Sequence, residues 1–282
     1  MQLPTLLLAI SGATLSVASR SAVAQASARP VAKRIDHVMI MTRERERLVA
    51  LLTDTLQLPL VWPQPGDSWT STTGIALGDV NLEFVPREQA TTTMLGNLAI
   101  QPVDLTAAPD QLRERGLVPR EPSTQTTDAG TPRWTILGFR HAFQGVSFFL
   151  IQYLAFDMNE RRTRFDQILR QRQGGPLGLR RVREFRLAYA PEHLPGARHG
   201  WRQLLGESGA ADSNRFELAA GPGIRLVPDA GPQSGGLVIE VESLARATDA
   251  ARSLRLLHSS SRDSVVLDPA RFGGLRLILV ER

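Results

Sequence analysis

Two short stretches constrain what this chain can fold into. The first is Arg34-Ile35-Asp36-His37-Val38-Met39-Ile40 and the second is Gly78-Asp79-Val80-Asn81-Leu82-Glu83-Phe84-Val85. Each has the two-residue alternation of a half-buried strand. That period sends His37 and Met39 to one side of the first strand, and Asn81 and Glu83 to one side of the second. An imidazole and a carboxylate are thereby placed to meet across a sheet. Between the two strands, residues 43–56 set Leu48, Leu51, Leu52 and Leu56 on one helical stripe with charged residues opposite. Pro59, Pro63, Pro65 and Gly66 then break the chain into turns before a strand at 73–77. Residues 34–86 therefore predict one strand-helix-strand-strand-strand unit.

The same order of elements recurs along the rest of the chain. A second module opens at Asn97-Leu98-Ala99-Ile100-Gln101, passes through a helix at 109–115 and a strand at 133–139, and closes at 145–153. Its last strand is apolar on both faces and therefore predicted to be buried. A third module runs from Val182 through a helix at 196–205 to Gly223-Ile224-Arg225-Leu226-Val227. A fourth runs from Gly236 through an Ala-, Leu- and Arg-rich helix at 244–254 to the strand at 274–280. Residues 157–181 read as a charged helix stopped by Gly174-Gly175-Pro176, a natural joint between pairs of modules. The predicted organisation is a first module pair at 33–156, a helical linker at 157–181 and a second pair at 182–282. The arginines of the linker, among them Arg161 and Arg162, read as its solvated face.

Composition narrows the function classes. Hydrophobic content of 42% against 22% charged is that of a globular chain with a real core. The net charge of +5 comes almost wholly from arginines dispersed among Asp and Glu, Lys33 being the only lysine. That is the pattern of a solvated surface, and it argues against a nucleic-acid partner. Zero cysteines exclude disulfides, a thiolate nucleophile and a thiolate metal site, so any metal must be held by N and O ligands. No Gly-x-Ser-x-Gly elbow, phosphate loop or dinucleotide fingerprint is present. The apolar stretch from Leu6 to Ala18 is shorter than the roughly twenty residues of a membrane span. Ala22-Val23-Ala24 before Gln25 supplies the small residues signal peptidase needs, so residues 1–24 predict a cleaved signal peptide. The mature protein is then expected to be periplasmic or secreted, with no membrane attachment.

In these modules the chain resembles the glyoxalase-like, vicinal-oxygen-chelate superfamily of glyoxalases, bleomycin resistance proteins and extradiol dioxygenases. Its modules open with a strand of the type DHV.I and close with one of the type G..LE.V. The resemblance implies an α+β fold of four βαβββ modules in two pairs, forming two half-barrel sheets with the helices outside. It also implies a cavity in which a divalent ion, Zn, Ni, Mn or Fe, is held by residues from the first and last strands of each module. Such an ion, with open positions, accepts two vicinal oxygens of a substrate and stabilises the negative charge of an enediolate. By the same resemblance His37 and Glu83 are ligands from module one. Asn97 stands where a second histidine often is, and Leu150 where a second carboxylate often is. Gln152 is left as the third ligand, through its amide oxygen. Glu184 and Arg225 hold the corresponding positions of module three, so the second pair is expected to be metal-free. Two functions follow: a metal-dependent lyase, isomerase or dioxygenase, or a metal-free protein that sequesters an apolar or amphipathic small molecule.

Each residue also has a plainer reading. His37 can be a core histidine satisfied by Asp36 or a backbone group. Glu83 is costly to bury without a partner, so it either faces the cavity and meets His37, an Arg or a metal, or faces solvent. Gln152 can be an ordinary polar lining residue. Trp62, Trp69 and Trp134 either build an aromatic wall for a ligand or fill the core. His141 is either a surface-loop residue or an acid-base group able to swing over the cavity.

Overall fold

The computed structural model describes residues 30–63, 71–139, 147–205, 214–229 and 235–282. The signal segment, Trp69 and His141 lie outside them. Module one comprises β1 (Ala32–Thr42), α1 (Arg45–Ala50, continuing as a π-helical turn, Leu51–Thr55), β2 (Leu60–Trp62), β3 (Thr73–Leu77) and β4 (Val80–Pro86). Module two comprises β5 (Met94–Pro102), α2 (Ala108–Glu114), β6 (Ser123–Thr126), β7 (Pro132–Leu137) and β8 (Phe148–Tyr153). After α3 (Met158–Gln171), module three has β9 (Leu179–Tyr189), α4 (Leu194–Leu205), β10 (Arg215–Phe216) and β11 (Gly223–Pro228). Module four has β12 (Gly236–Val241), α5 (Leu244–Ser253), β13 (Leu257–Ser260), β14 (Val265–Leu267) and β15 (Leu277–Glu281).

The strands form two curled sheets, ordered β2-β3-β4-β1-β5-β8-β7-β6 and β10-β11-β9-β12-β15-β14-β13. In each module the first strand lies parallel to the last, as β1 does to β4 and β12 to β15. The first strands of paired modules meet antiparallel, β1 against β5 and β9 against β12. A module by itself would leave its first strand as an open edge, and pairing covers it. The fold is α+β, with module pairs and half-barrel sheets as the sequence predicts.

Alternation, reset in β1 by a register slip between Ile35 and His37, decides which face is core. Ile35, Val38, Ile40, Leu82 and Phe84 of the first sheet share one buried cluster with Leu48, Leu52 and Leu56 of the first helix. The same cluster includes Phe185, Leu237 and Ile239 of the second sheet. The opposite face of the first sheet is left as a hollow.

The segment 157–181 opens with the helix α3. Asp157 caps α3 by accepting from the backbone N–H groups of Asn159 (2.8 Å) and Glu160 (3.2 Å). Its buried stripe is Met158, Arg162, Phe165 and Leu169. The glycine-rich turn that ends it is pinned to module one, where Arg172 donates to the Gln57 carbonyl at 2.8 Å. Gly175 adopts φ 64°, and a Cβ there would lie 2.1 Å from the Leu56 carbonyl oxygen. Gly175→Ala is therefore expected to destabilise the protein by about 2 kcal/mol, through strain and backbone collision together. The shift of the urea midpoint at unchanged m-value checks this.

Candidate functional site

Strands β1 and β4 run side by side with His37 opposite Asn81 and Met39 opposite Glu83. Glu83 is thus one step diagonal to His37 on the same face, and long side chains close that gap. His37 Nε2 lies 3.1 Å from a Glu83 oxygen. The other ring nitrogen, Nδ1, lies 2.8 Å from Asp36 Oδ2. Sequence neighbours in a strand normally point apart. Here the β1–β5 register slips between Ile35 and His37, which breaks the strict alternation.

Asp36 is fully buried and is the hub of the network. Its Oδ2 also accepts from the Tyr153 hydroxyl at 2.9 Å, and its Oδ1 accepts from the Arg162 guanidinium. Glu83 accepts from the Thr72 hydroxyl at 2.8 Å, and Thr72 in turn accepts from the Trp62 indole N–H at 3.0 Å. The groups tune one another. Burial opposes a charge on His37, but its hydrogen bonds to Asp36 and Glu83, and their charges, outweigh burial and lift the imidazole to about 9. Burial likewise works against ionisation of Asp36 and Glu83. The His37 hydrogen bond and charge, with Arg162 and Tyr153 at Asp36 and Thr72 at Glu83, hold both below the usual carboxylate range. Tyr153 is pushed well above its ordinary value, first by burial and then by the Asp36 charge, so it stays a phenol. At neutral pH the centre is an imidazolium donating to two carboxylates.

This cluster is the polar end of a hollow of about 750 Å³, counting its open mouth. Trp62, Trp134, Phe149 and Phe156 supply its aromatic wall. The His37 ring sits edge-on to Phe149, centroids 5.9 Å apart. At the same hollow Arg161 lies 5.9 Å from the Trp62 ring and 5.6 Å from the Phe156 ring, and donates to the Val61 carbonyl at 3.0 Å.

No family model matches this chain, and no curated protein matches it. Solved structures do. Homoprotocatechuate 2,3-dioxygenase from Arthrobacter globiformis aligns with a TM-score of 0.58 at 13% identity, over 90% of this chain and 81% of that one. The anaerobic complex of the Brevibacterium fuscum enzyme with 3,4-dihydroxyphenylacetate aligns with a TM-score of 0.58 at 12% identity, over 91% and 82%. The chain has the vicinal-oxygen-chelate fold. At such identities the likeness concerns the fold alone, and the residues of this chain must speak for its chemistry.

Within that fold, His37 and Glu83 come together as the alternation of their strands predicts. Trp62 and Trp134 line the hollow. Gln152 does not join them. Phe149, Ile151 and Tyr153 of β8 face the hollow, and Gln152, between the last two, is exposed on the other side. The β5 residue opposite His37 is Ala99, which offers no ligand atom. The segment read as a linker also has a second role: Met158 and Arg161 of α3 line the hollow, and Arg162 grips Asp36. The sequence did carry a signal for Arg162, which sits on the helix's apolar stripe between Met158 and Phe165.

A zinc or iron site of this kind wants three or four N and O ligands. Among the described residues, no group of three or more His, Asp or Glu side chains is disposed to hold an ion. Both His37 nitrogens are engaged by carboxylates, the Thr72 and Tyr153 hydroxyls donate to those same carboxylates, and the remaining described lining is aromatic, aliphatic or cationic. The described donor set does not fit a resident divalent ion.

The second pair repeats the geometry with other chemistry. Glu184 on β9 stands opposite Gly223 and Arg186 opposite Arg225, the same diagonal as His37 to Glu83. The Arg225 Nε donates to Glu184 at 2.9 Å and the Arg186 Nε at 3.1 Å. An ion pair occupies the place of the imidazole and its carboxylate.

Proposed function

We propose that the protein binds a small, flat, largely apolar molecule in the hollow of its first sheet, without a metal. The observation that carries this reading is an aromatic wall around a polar end whose only imidazole among the described residues is held at both nitrogens. A hollow of this size and lining, with a few convergent polar groups, is what small-molecule sites are built from. A second reading, a metal-dependent enzyme of dioxygenase type, is favoured by the fold of the solved relatives and by the contact between His37 and Glu83.

Metal analysis of untagged protein, with melting temperatures before and after chelation, separates the two. The expected outcome is no stoichiometric metal and no shift on adding Zn, Ni, Mn or Fe. Bound metal that disappears in His37→Ala would favour the enzyme instead. We further propose export, on the strength of the apolar segment and its Ala22-Val23-Ala24 ending. N-terminal sequencing of mature protein should then begin at Gln25 or close by, and soluble protein retaining Met1 would refute it.

A further inference from the structure

The polar end of the hollow has its protons already committed. The Trp62 N–H goes to Thr72, the Thr72 hydroxyl to Glu83 and the Tyr153 hydroxyl to Asp36. His37 faces a carboxylate oxygen at each nitrogen, at 2.8 and 3.1 Å. All of these hydrogens point along the wall. What the same groups leave for a ligand is acceptor capacity. A carboxylate has about four lone-pair sites. Two at Glu83 are filled, by His37 and Thr72, while its side chain keeps 14% of its surface open. A ligand atom arriving at Glu83 must therefore bring its own proton, because an ether or carbonyl oxygen placed there would face lone pairs and stay unpaired.

Charge narrows the class further. Asp36 and Glu83 are matched by His37 and Arg162, so the polar end has no surplus negative charge. Arg161 lines the same hollow beside the Trp62 ring. A cationic amine gains nothing overall from entering. We propose that the ligands of this site are aromatic molecules carrying an uncharged O–H or N–H donor, seated on the Glu83 carboxylate with their rings against the aromatic wall. This rests on the hollow being a ligand site at all, and the experiment keeps the two ideas apart.

Titration of the whole protein with β-naphthol and with its methyl ether, followed by calorimetry or tryptophan quenching, provides the test. The two probes share a ring, and the ether is the more apolar. If apolar burial alone governs binding, the ether binds more tightly. If the Glu83 oxygens select a donor, the naphthol binds more tightly by roughly ten- to a hundredfold, the range for one hydrogen bond to a charged group. Glu83→Gln keeps the shape but lets the side chain donate as well, and the preference should fall to near parity. Equal or tighter binding of the ether by the unmodified protein overturns the inference while the ligand-site reading stands. Failure of both probes to bind overturns both. The comparison in unmodified protein decides the matter even where the variant does not fold.

Discussion

Replacing Arg162 with methionine is expected to destabilise the protein by about 3–5 kcal/mol, the cost typical of breaking a buried ion pair from one side. Asp36 has no exposed surface, and Arg162 itself is buried on the inner stripe of its helix. Without the guanidinium, Asp36 keeps only His37 and Tyr153 as partners. Methionine fills much of the same volume, so the loss reports charge and hydrogen bonding more than packing. Adding Asp36→Asn in the same chain should recover part of the loss, since the stranded charge is then gone. Urea unfolding of the two single variants and the double variant closes the cycle. A loss under about 1 kcal/mol, the size of a surface pair, would show that the pair does not secure the site.

Stability should also depend on pH, with a maximum between about pH 5 and 6.5. His37 titrates near 9 in the folded protein and near 6.5 when free. Its contribution is complete below 6.5 and is lost as pH rises from there through 9, a fall on the order of 3 kcal/mol. Asp36 and Glu83 work in the opposite sense. Their folded values are depressed, so their contribution is present above the unfolded carboxylate range and is lost as pH falls through the folded values. Urea midpoints measured from about pH 4 to 10 should trace a dome, and His37→Gln should flatten its alkaline side. A level profile above pH 6.5 in the unmodified protein would show that the imidazole is not clamped between two carboxylates.

The parts of this molecule that sequence reveals are those written in local period. Strand β3 falls at 73–77 as expected because turn formers isolate it, and His37 and Glu83 meet because β1 keeps an unbroken register with β4 from His37 onward. Gln152 shows the limit. The run Phe148 to Ile151 is apolar at every position, so no alternation fixes its phase. Pairing with β7 sets which side faces inward, and that is a tertiary fact. Arg162 shows another limit. It lies among many arginines in sequence, and its partner Asp36 is 126 positions away. Composition reads such a residue as surface, and only the helix stripe combined with a distant acid marks it as buried.

The grip of Arg162 on Asp36 has a bearing on how this protein can be dissected. A fragment ending at residue 156 would contain every strand of the first sheet and all of its core-facing leucines. It would still lack the cation that answers its deepest carboxylate. Such a truncation should fold poorly or only at acid pH, and grafting the recognition surface onto another scaffold must bring the following helix along with the sheet.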